Sequence, residues 1–595
     1  MNDFIRLRLP LIISIAVFIY VLLRAIYVPP YGDELNTFFA YIQTGSFQPF
    51  YAHLDANNHV INSLFSHLFF KLFGESMIVL RLPNVLCFIL YLYYAWKIQN
   101  MFQKKLVGIC WFITMVASLY FIEFFSLSRG YGMSMAFLLG GIYNLFSYSG
   151  SGASKNLLLG FFLISLALWS NLALMVLVLI LGGIFIILFI KRANKSRNFK
   201  RTAVDVFFII SLFLIPLFYA IEYSIALKNG GHLYHGASSD FIQSVIIHLI
   251  NEFSGSYILA TKIFIILFTA YIAASIYSLV VKRLNIYLLL SQFLLWGTII
   301  GTVLLHTKYG VNYPQNRTAL HFFILFFIPF FFSIDAVNFK ALLVFPVLIS
   351  LLFIMQLVRT LNVSFVPAWI NESAPYSFYK KLIQTQTQTG SLPTISGNPI
   401  LVNVLNYYGF HNGGVLNTAQ GSIAPSNVAD FLIINKWDHI SPIEYDTVLC
   451  ERQTGVTLMR RRKLIEWKPS GIYPGDTHNS SEEYLSIITA PADTFIDYPF
   501  CFDVTFKVQA DRFPLKCWIV TELKDEKGNS LSYDALDLQK ARSDVRKVGF
   551  IHRKQYVEIV PKETKNICIY FWNVQKRLIN ISDLKVTLFK GVSPD

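Results

Sequence analysis

The sequence predicts a polytopic α-helical membrane protein with about eleven spans, continued by an extracytoplasmic α/β unit and a β-sandwich. Three observations predict this. The 595-residue chain is 54% hydrophobic and 16% aromatic but only 14% charged, with a mean hydropathy of +0.50, which excludes a wholly soluble globule. The apolar runs stop near residue 357, and residues 1–357 hold 23 basic but only 11 acidic residues. Beyond that point the composition is that of ordinary soluble protein, with 24 of the 35 acidic residues.

Runs long enough to cross the hydrocarbon fall near 8–27, 77–96, 106–122, 132–148, 156–169, 172–190, 204–222, 257–281, 286–305, 318–333 and 341–357. With Arg6 and Arg8 inside, the inner loops receive Lys97, Lys104, Lys105, Lys155, the run Lys191–Arg201, Lys282, Arg283 and Lys340. Cytoplasmic loops collect Lys and Arg, so the N-terminus is expected in the cytoplasm and the C-terminal part outside. The positive charge of the membrane half reflects this orientation and does not call for a nucleic acid partner. No small-residue cleavage site follows Ile5–Ala25, so the first span is expected to persist as an anchor.

Three domains are expected: a transmembrane core at 1–357, a small α/β domain at 358–465 and a β-sandwich at 466–595. The middle part joins a helical start (SFYKKLIQTQ) to short apolar runs such as DFLIINKW. The last part alternates, in CFDVTFKVQA, LKCWIVTELKD and NICIYFWNV, between turn residues, with a jelly roll as one topology it can take. Cys450, Cys501, Cys517 and Cys568 fall outside the membrane, where a disulfide is permitted, though spacing does not give the pairing.

The chemistry concentrates after the first span. Asp33 and Glu34 sit side by side in VPPYGDELNT, and His53, Asp55 and His59 follow in a segment too polar to cross lipid. An acidic pair at a membrane surface suits a base that takes a proton from an acceptor while the donor is held by a lipid tail. Acids are also favoured in the first turn of a helix, and Leu35–Ile42 reads as an amphipathic stretch. From Tyr51 the chain runs through a His-rich entry and an amphipathic surface helix to Arg81-Leu-Pro. Arg129, His306, Lys308 and Arg317 fall on the same outer side as the acids. Ionisable groups at helix edges tend to line a cavity or pathway. His53, Asp55 and His59 lack a second cluster of ligands, so no cofactor is expected and a divalent metal is not favoured.

This order of motifs resembles the glycosyltransferase C superfamily, in particular the branch with protein O-mannosyltransferases and the bacterial aminoarabinose transferases of lipid A. The residues that carry it are Asp33 and Glu34, Asn58-His59 before the surface helix, LRLPNVL at Leu80–Leu86, FFSLSRGYGMSMAFLL with Arg129 and Tyr131, and YPQNRTALHFFILFFIPF with Arg317. The resemblance covers about residues 1–357. It implies a polyprenyl-phosphate-linked sugar as donor, an acidic motif in the first outer loop, and a late basic residue, here Arg317, on the donor phosphate. It also implies inversion at the sugar carbon.

The residue chemistry agrees with these roles. Asp33 is the expected base, with Glu34 orienting the acceptor or raising its basicity, since adjacent carboxylates resist joint ionisation. Arg317 is the first choice for the donor phosphate because a guanidinium holds phosphate oxygens bidentately, followed by Lys308, Arg129 and His306. His53, Asp55, His59 and Tyr131 are candidates for acceptor or sugar contacts. The expected partners are therefore a polyprenyl-phosphate sugar, membrane lipid, and an acceptor glycan, lipid or protein, at a bacterial inner membrane. A polysaccharide polymerase or ligase acting on lipid-linked glycans is the main alternative. A lipid-linked sugar transporter or flippase is the other, and it calls for polar groups near the midplane and paired broken helices.

Overall fold

The structure, a computed structural model, describes residues 7–194, 199–254, 257–281, 285–422, 426–438, 444–475, 477–510, 515–540 and 548–592. Of the expected inner basic clusters, Arg6, Lys195, Arg197, Lys282 and Arg283 lie outside the described residues. The chain divides into two compact units, Met1–Tyr27 with Gly45–Ser364, and Val28–Thr44 with Phe365–Asp595.

The first unit is helical, and each of the eleven expected segments forms helix. By length and apolarity, eight of the described helices can cross a membrane, or nine if Lys105–Val116 and Leu119–Ser126, bent by 59°, count as one span. Eleven spans are therefore not reached by that measure, for two physical reasons. Ser154–Ser170 has 17 residues, so at 1.5 Å per residue it rises about 26 Å, short of the roughly 30 Å hydrocarbon core. Gly130–Ser151 has 22 residues but is rich in glycine and serine and lies buried along most of its length. A Cβ on Gly140 would stand 2.5 Å from Tyr94 and one on Gly141 2.4 Å from Ile164. Small residues there let neighbouring helices close in, and a helix enclosed by protein has no need of an apolar lipid-facing stripe. The expected surface helix is Val60–Phe73.

The second unit opens with the first part of the outer loop. Helix Gly32–Thr37 and the wide turn Phe38–Ile42 pack against the C-terminal half of the sequence. Tyr31 stacks on Trp369 with centroids 4.7 Å apart, and Phe38 meets Tyr407 and Phe410 edge-on at 5.8 and 5.7 Å. Gln539 donates to the Gln43 side chain at 2.6 Å. Both glutamines are almost wholly buried, so their mutual bonds keep polar groups satisfied where water is excluded.

Five strands form the α/β sheet, β1 (Ile395–Gly397), β2 (Gln420–Gly421), β3 (Phe431–Ile434), β4 (Tyr445–Cys450) and β5 (Thr457–Arg461). Their order is β2-β1-β3-β5-β4, with β1 parallel to β2 and β3 and the other pairs antiparallel. Helix Pro399–His411 connects β1 to β2 and buries Leu401, Val404 and Leu405.

The sandwich follows with β6 (Glu466–Pro474), β7 (His478–Ser480), β8 (Tyr484–Pro491), β9 (Phe500–Ala510), β10 (Trp518–Lys524), β11 (Ser530–Asp537), β12 (Val548–Val557), β13 (Asn566–Trp572) and β14 (Ile579–Val592). One sheet runs β11-β10-β13-β8, the other β12-β9-β14-β6, with β7 beside β14. With β6 and β7 taken as the first of eight strands, the orders read 2-7-4-5 and 1-8-3-6, the jelly-roll arrangement of two Greek keys. Phe502, Val504, Phe506, Ile519, Ile569, Phe571, Val586 and Leu588 fill the interior, each on the inward side of an alternating strand. Among the described residues all six cysteines are free thiols.

Candidate active site

In the helical unit, the segment Ser128-Arg129-Gly130-Tyr131 turns into helix Gly130–Ser151, with Arg129 in extended conformation at its start. A Cβ on Gly130 would stand 2.0 Å from the Ser170 carbonyl oxygen and 2.7 Å from the His59 Cβ. Only hydrogen fits there, so the backbone of this turn, His59 and Ser170 are pressed together. His59 Nδ1 lies 2.8 Å from the Ser170 carbonyl oxygen. A carbonyl can only accept, so Nδ1 carries the proton and Nε2 presents a lone pair. Burial pushes the His59 imidazole well below its ordinary pKa, and the nearby Arg129 and Arg317 charges push it further down, so it is neutral at pH 7.

Tyr131 is the hub of the cluster. Its ring meets His59 edge-on at 4.7 Å, the guanidinium carbons of Arg129 and Arg317 lie 5.6 and 6.0 Å from its centroid, and its hydroxyl accepts from Arg317 Nε at 3.2 Å. Arg129 is fully buried and donates to the Asn57 side-chain oxygen. Two cations at the starts of helical segments thus converge on one aromatic ring. Helix starts carry partial positive charge, so the local field favours an anion of phosphate type. Gly130→Ala is expected to disturb this cluster more than the fold. It should lower the melting temperature by an amount matching about 1–3 kcal/mol of overpacking, while activity falls further because Arg129 and His59 are displaced. Thermal unfolding beside a turnover assay separates the two.

Buried polar groups hold the cluster from behind. Asn84 donates to Asn62 at 2.6 Å and accepts from the Met133 amide at 3.2 Å, while Asn62 donates to the Ser128 carbonyl at 3.3 Å. All of these side chains are buried, so the ladder ties the surface helix, the LRLPNVL helix and the SRGYG turn in one register. Arg81 donates to the Ala25 carbonyl at 3.2 Å. Arg24 and Glu123, both without solvent exposure, pair at 3.6 Å, and Arg24 also donates to the Asn362 carbonyl at 2.7 Å. Glu123 is thus an ion-pair partner inside the helical unit.

The acidic pair lies in the second unit, in the first turn of helix Gly32–Thr37. Asp33 is half-buried whereas Glu34 is 1% exposed, so of the two Asp33 has the more accessible carboxylate. The Asp33 carbonyl accepts from the Thr37 hydroxyl at 2.9 Å. A Cβ on Gly32 would meet Ile400 at 2.6 Å, which fits the turn closely against the helix Pro399–His411.

The structure therefore brings together His59, Tyr131, Arg129 and Arg317 of the expected site residues. His306 Nδ1 instead donates to the Val311 carbonyl at 2.9 Å and the ring stacks on Tyr313 at 4.1 Å, closing its own helix end, and Lys308, two residues further on, is exposed. His53 has the His232 ring as neighbour at 6.3 Å, and Asp55 accepts from the Asn57 amide at 2.8 Å, shaping the loop that carries Asn57. The sequence pattern does not single out Asn57 or Asn62, and Asn84 stands there only as part of the LRLPNVL motif. Among the described residues no group of three or more His, Cys, Asp or Glu side chains could hold a metal ion.

The fold is similar to that of ArnT from Cupriavidus metallidurans bound to undecaprenyl phosphate, with a TM-score of 0.44 and 9% identity over 76% of this chain and 97% of that one. It is also similar to the arabinosyltransferase EmbB from Mycobacterium smegmatis, with a TM-score of 0.34 and 11% identity over 98% of this chain and 64% of that one. Apo ArnT from Cupriavidus metallidurans gives a TM-score of 0.34 and 10% identity over 76% and 97% of the two chains. No protein-family model matches the chain, and no curated protein matches it.

Proposed function

We propose that this chain is an integral-membrane glycosyltransferase that moves a sugar from a polyprenyl phosphate to an acceptor on the non-cytoplasmic face. The observation that carries the reading is the convergence of Arg129 and Arg317 on Tyr131 beside a neutral, buried His59. Sugar transfer from a lipid phosphate needs two things, a base for the acceptor hydroxyl and positive charge for the departing phosphate. Asp33 is assigned the first role, with Glu34 as its neighbour, and Arg317 the second, supported by Arg129. The acceptor oxygen forms a bond to the anomeric carbon as the bond from that carbon to the phosphate oxygen breaks. The proton goes to Asp33 and the electron pair leaves with the polyprenyl phosphate, whose added charge the guanidiniums offset. One displacement inverts the sugar carbon. Charge neutralisation by arginine lets the step proceed as written without a metal.

The Lys and Arg distribution supports a cytoplasmic N-terminus and extracytoplasmic C-terminal domains, and the bacterial inner membrane is the proposed site. The test is mass spectrometry of polyprenyl lipids from a strain lacking the gene. Accumulation of one polyprenyl-phosphate monosaccharide is expected and names the sugar. An unchanged lipid pool would overturn the reading, and build-up of a lipid-linked oligosaccharide would point to a polymerase or ligase.

A further inference from the structure

The outward face of the jelly-roll sheet β11-β10-β13-β8 carries a row of aromatic side chains that the fold does not use for its core. Trp518 pairs in register with Trp572, and Trp572 with Tyr484, so three aromatic residues stand side by side across three adjacent strands. Tyr484 and Trp572 stack at 6.2 Å with planes 11° apart, and Trp518 and Trp572 lie 5.4 Å apart. Tyr570 adds a further ring, 5.9 Å from Tyr484. Tyr484 is 56% exposed and Tyr533, on the neighbouring β11, 51%. Trp518, Tyr570 and Trp572 are half-buried.

Polar groups flank the row and fix it. Trp572 Nε1 donates to Glu483 at 3.3 Å, and the other Glu483 oxygen pairs with Lys576 at 3.1 Å. The Tyr570 hydroxyl donates to Glu522 at 3.4 Å, and Glu522 pairs with Lys524 at 3.2 Å. Glu483 and Glu522 are each matched by one lysine, and Asp537, in register with Trp518, lies near Lys540 and Lys516, so the face has rigid rings, several hydrogen-bonding groups and balanced charge. Balanced charge gives no attraction for nucleic acid, an anionic glycan or an anionic bilayer. A core-forming apolar partner would leave Glu483, Glu522 and their lysines desolvated. A neutral sugar chain satisfies both halves of the face. Its C–H surfaces pack on the rings, and its hydroxyls donate to the carboxylates and accept from the lysines.

We infer that this sheet face is a binding site for a neutral glycan chain, with Trp572 at its centre and Tyr484, Trp518 and Tyr570 around it. The inference is independent of the transferase reading, because it needs no donor and no turnover. It can hold if that reading fails, and the reverse.

The test is native affinity electrophoresis of the full-length protein in a detergent without sugar headgroups, through gels containing mannan, arabinogalactan or dextran. Retardation by at least one polysaccharide is expected. It should weaken about tenfold or more in Tyr484→Ala and Trp572→Ala, as for aromatic hot spots elsewhere, and largely persist in Trp572→Phe. Tyr484 is exposed and outside the core, so its removal tests the site even where Trp572→Ala unfolds. Ile472→Ala, on β6 in the other sheet, should bind as wild type. Migration unaffected by all three polysaccharides would overturn the inference, as would retardation undiminished in well-folded Tyr484→Ala and Trp572→Ala.

Discussion

Asp33→Asn is expected to reduce transfer by about 10²–10⁴-fold, the range for loss of one general base, while the protein stays folded. Asparagine keeps the size and the hydrogen-bonding capacity of the side chain. The bond from the Thr37 hydroxyl reaches the Asp33 carbonyl, which the substitution leaves in place. What is lost in stability is the favourable placement of an acid in the first helical turn, about 0.3–1 kcal/mol. Activity and stability therefore separate, and turnover assays with thermal unfolding on the same purified variant read both. Transfer within tenfold of wild type would remove Asp33 from the base role.

Arg317→Ala is expected to lower turnover by about 10²–10³-fold, as for loss of one preorganised donor to a developing anion. Arg317→Lys should recover part of the rate, because lysine keeps the charge and loses the planar fork. The leaving phosphate gains charge only as the sugar departs, so kcat should fall more than KM for the donor rises. Arg317 Nε also bonds Tyr131, and Tyr131→Phe removes that bond while leaving the ring, which separates positioning of the guanidinium from its charge. Equal rates in wild type and well-folded Arg317→Ala would place the phosphate elsewhere, with Arg129 next.

Much of the helical unit was legible because apolar runs of spanning length have few other readings, and all eleven segments are helices. The alternation of apolar residues likewise gave the sandwich strands. The break between Val116 and Leu119 was not legible, since Ala117 and Ser118 look like ordinary helix residues. In the site, the SRGYG turn was visible in the sequence, but its meaning lay in a close approach. Gly130 is needed because the Ser170 backbone and His59 press on it, and a backbone carbonyl has no sequence signature. In the sequence His306 and Lys308 are lesser candidates beside Arg317, and what sets them apart in the structure is that their helix ends at Gly310 in left-handed conformation and His306 is spent on the Val311 carbonyl. In the first outer loop, Leu35–Ile42 reads from the sequence as an amphipathic stretch. Its aromatic residues Phe38 and Phe39 instead pack on Phe410, so the acidic pair belongs to the C-terminal unit, a long-range pairing that local pattern does not encode.

The central claim is that this chain breaks the bond between a sugar and a polyprenyl phosphate, and the most direct measurement is release of polyprenyl phosphate by the purified protein. The substrate is the lipid-linked sugar that accumulates in the deletion strain, supplied with envelope extract as acceptor. Wild type is expected to release polyprenyl phosphate in step with sugar transfer, with Asp33→Asn and Arg317→Ala reduced by the factors given above. Donor left intact by folded wild type, or release unchanged in both variants, would contradict the account.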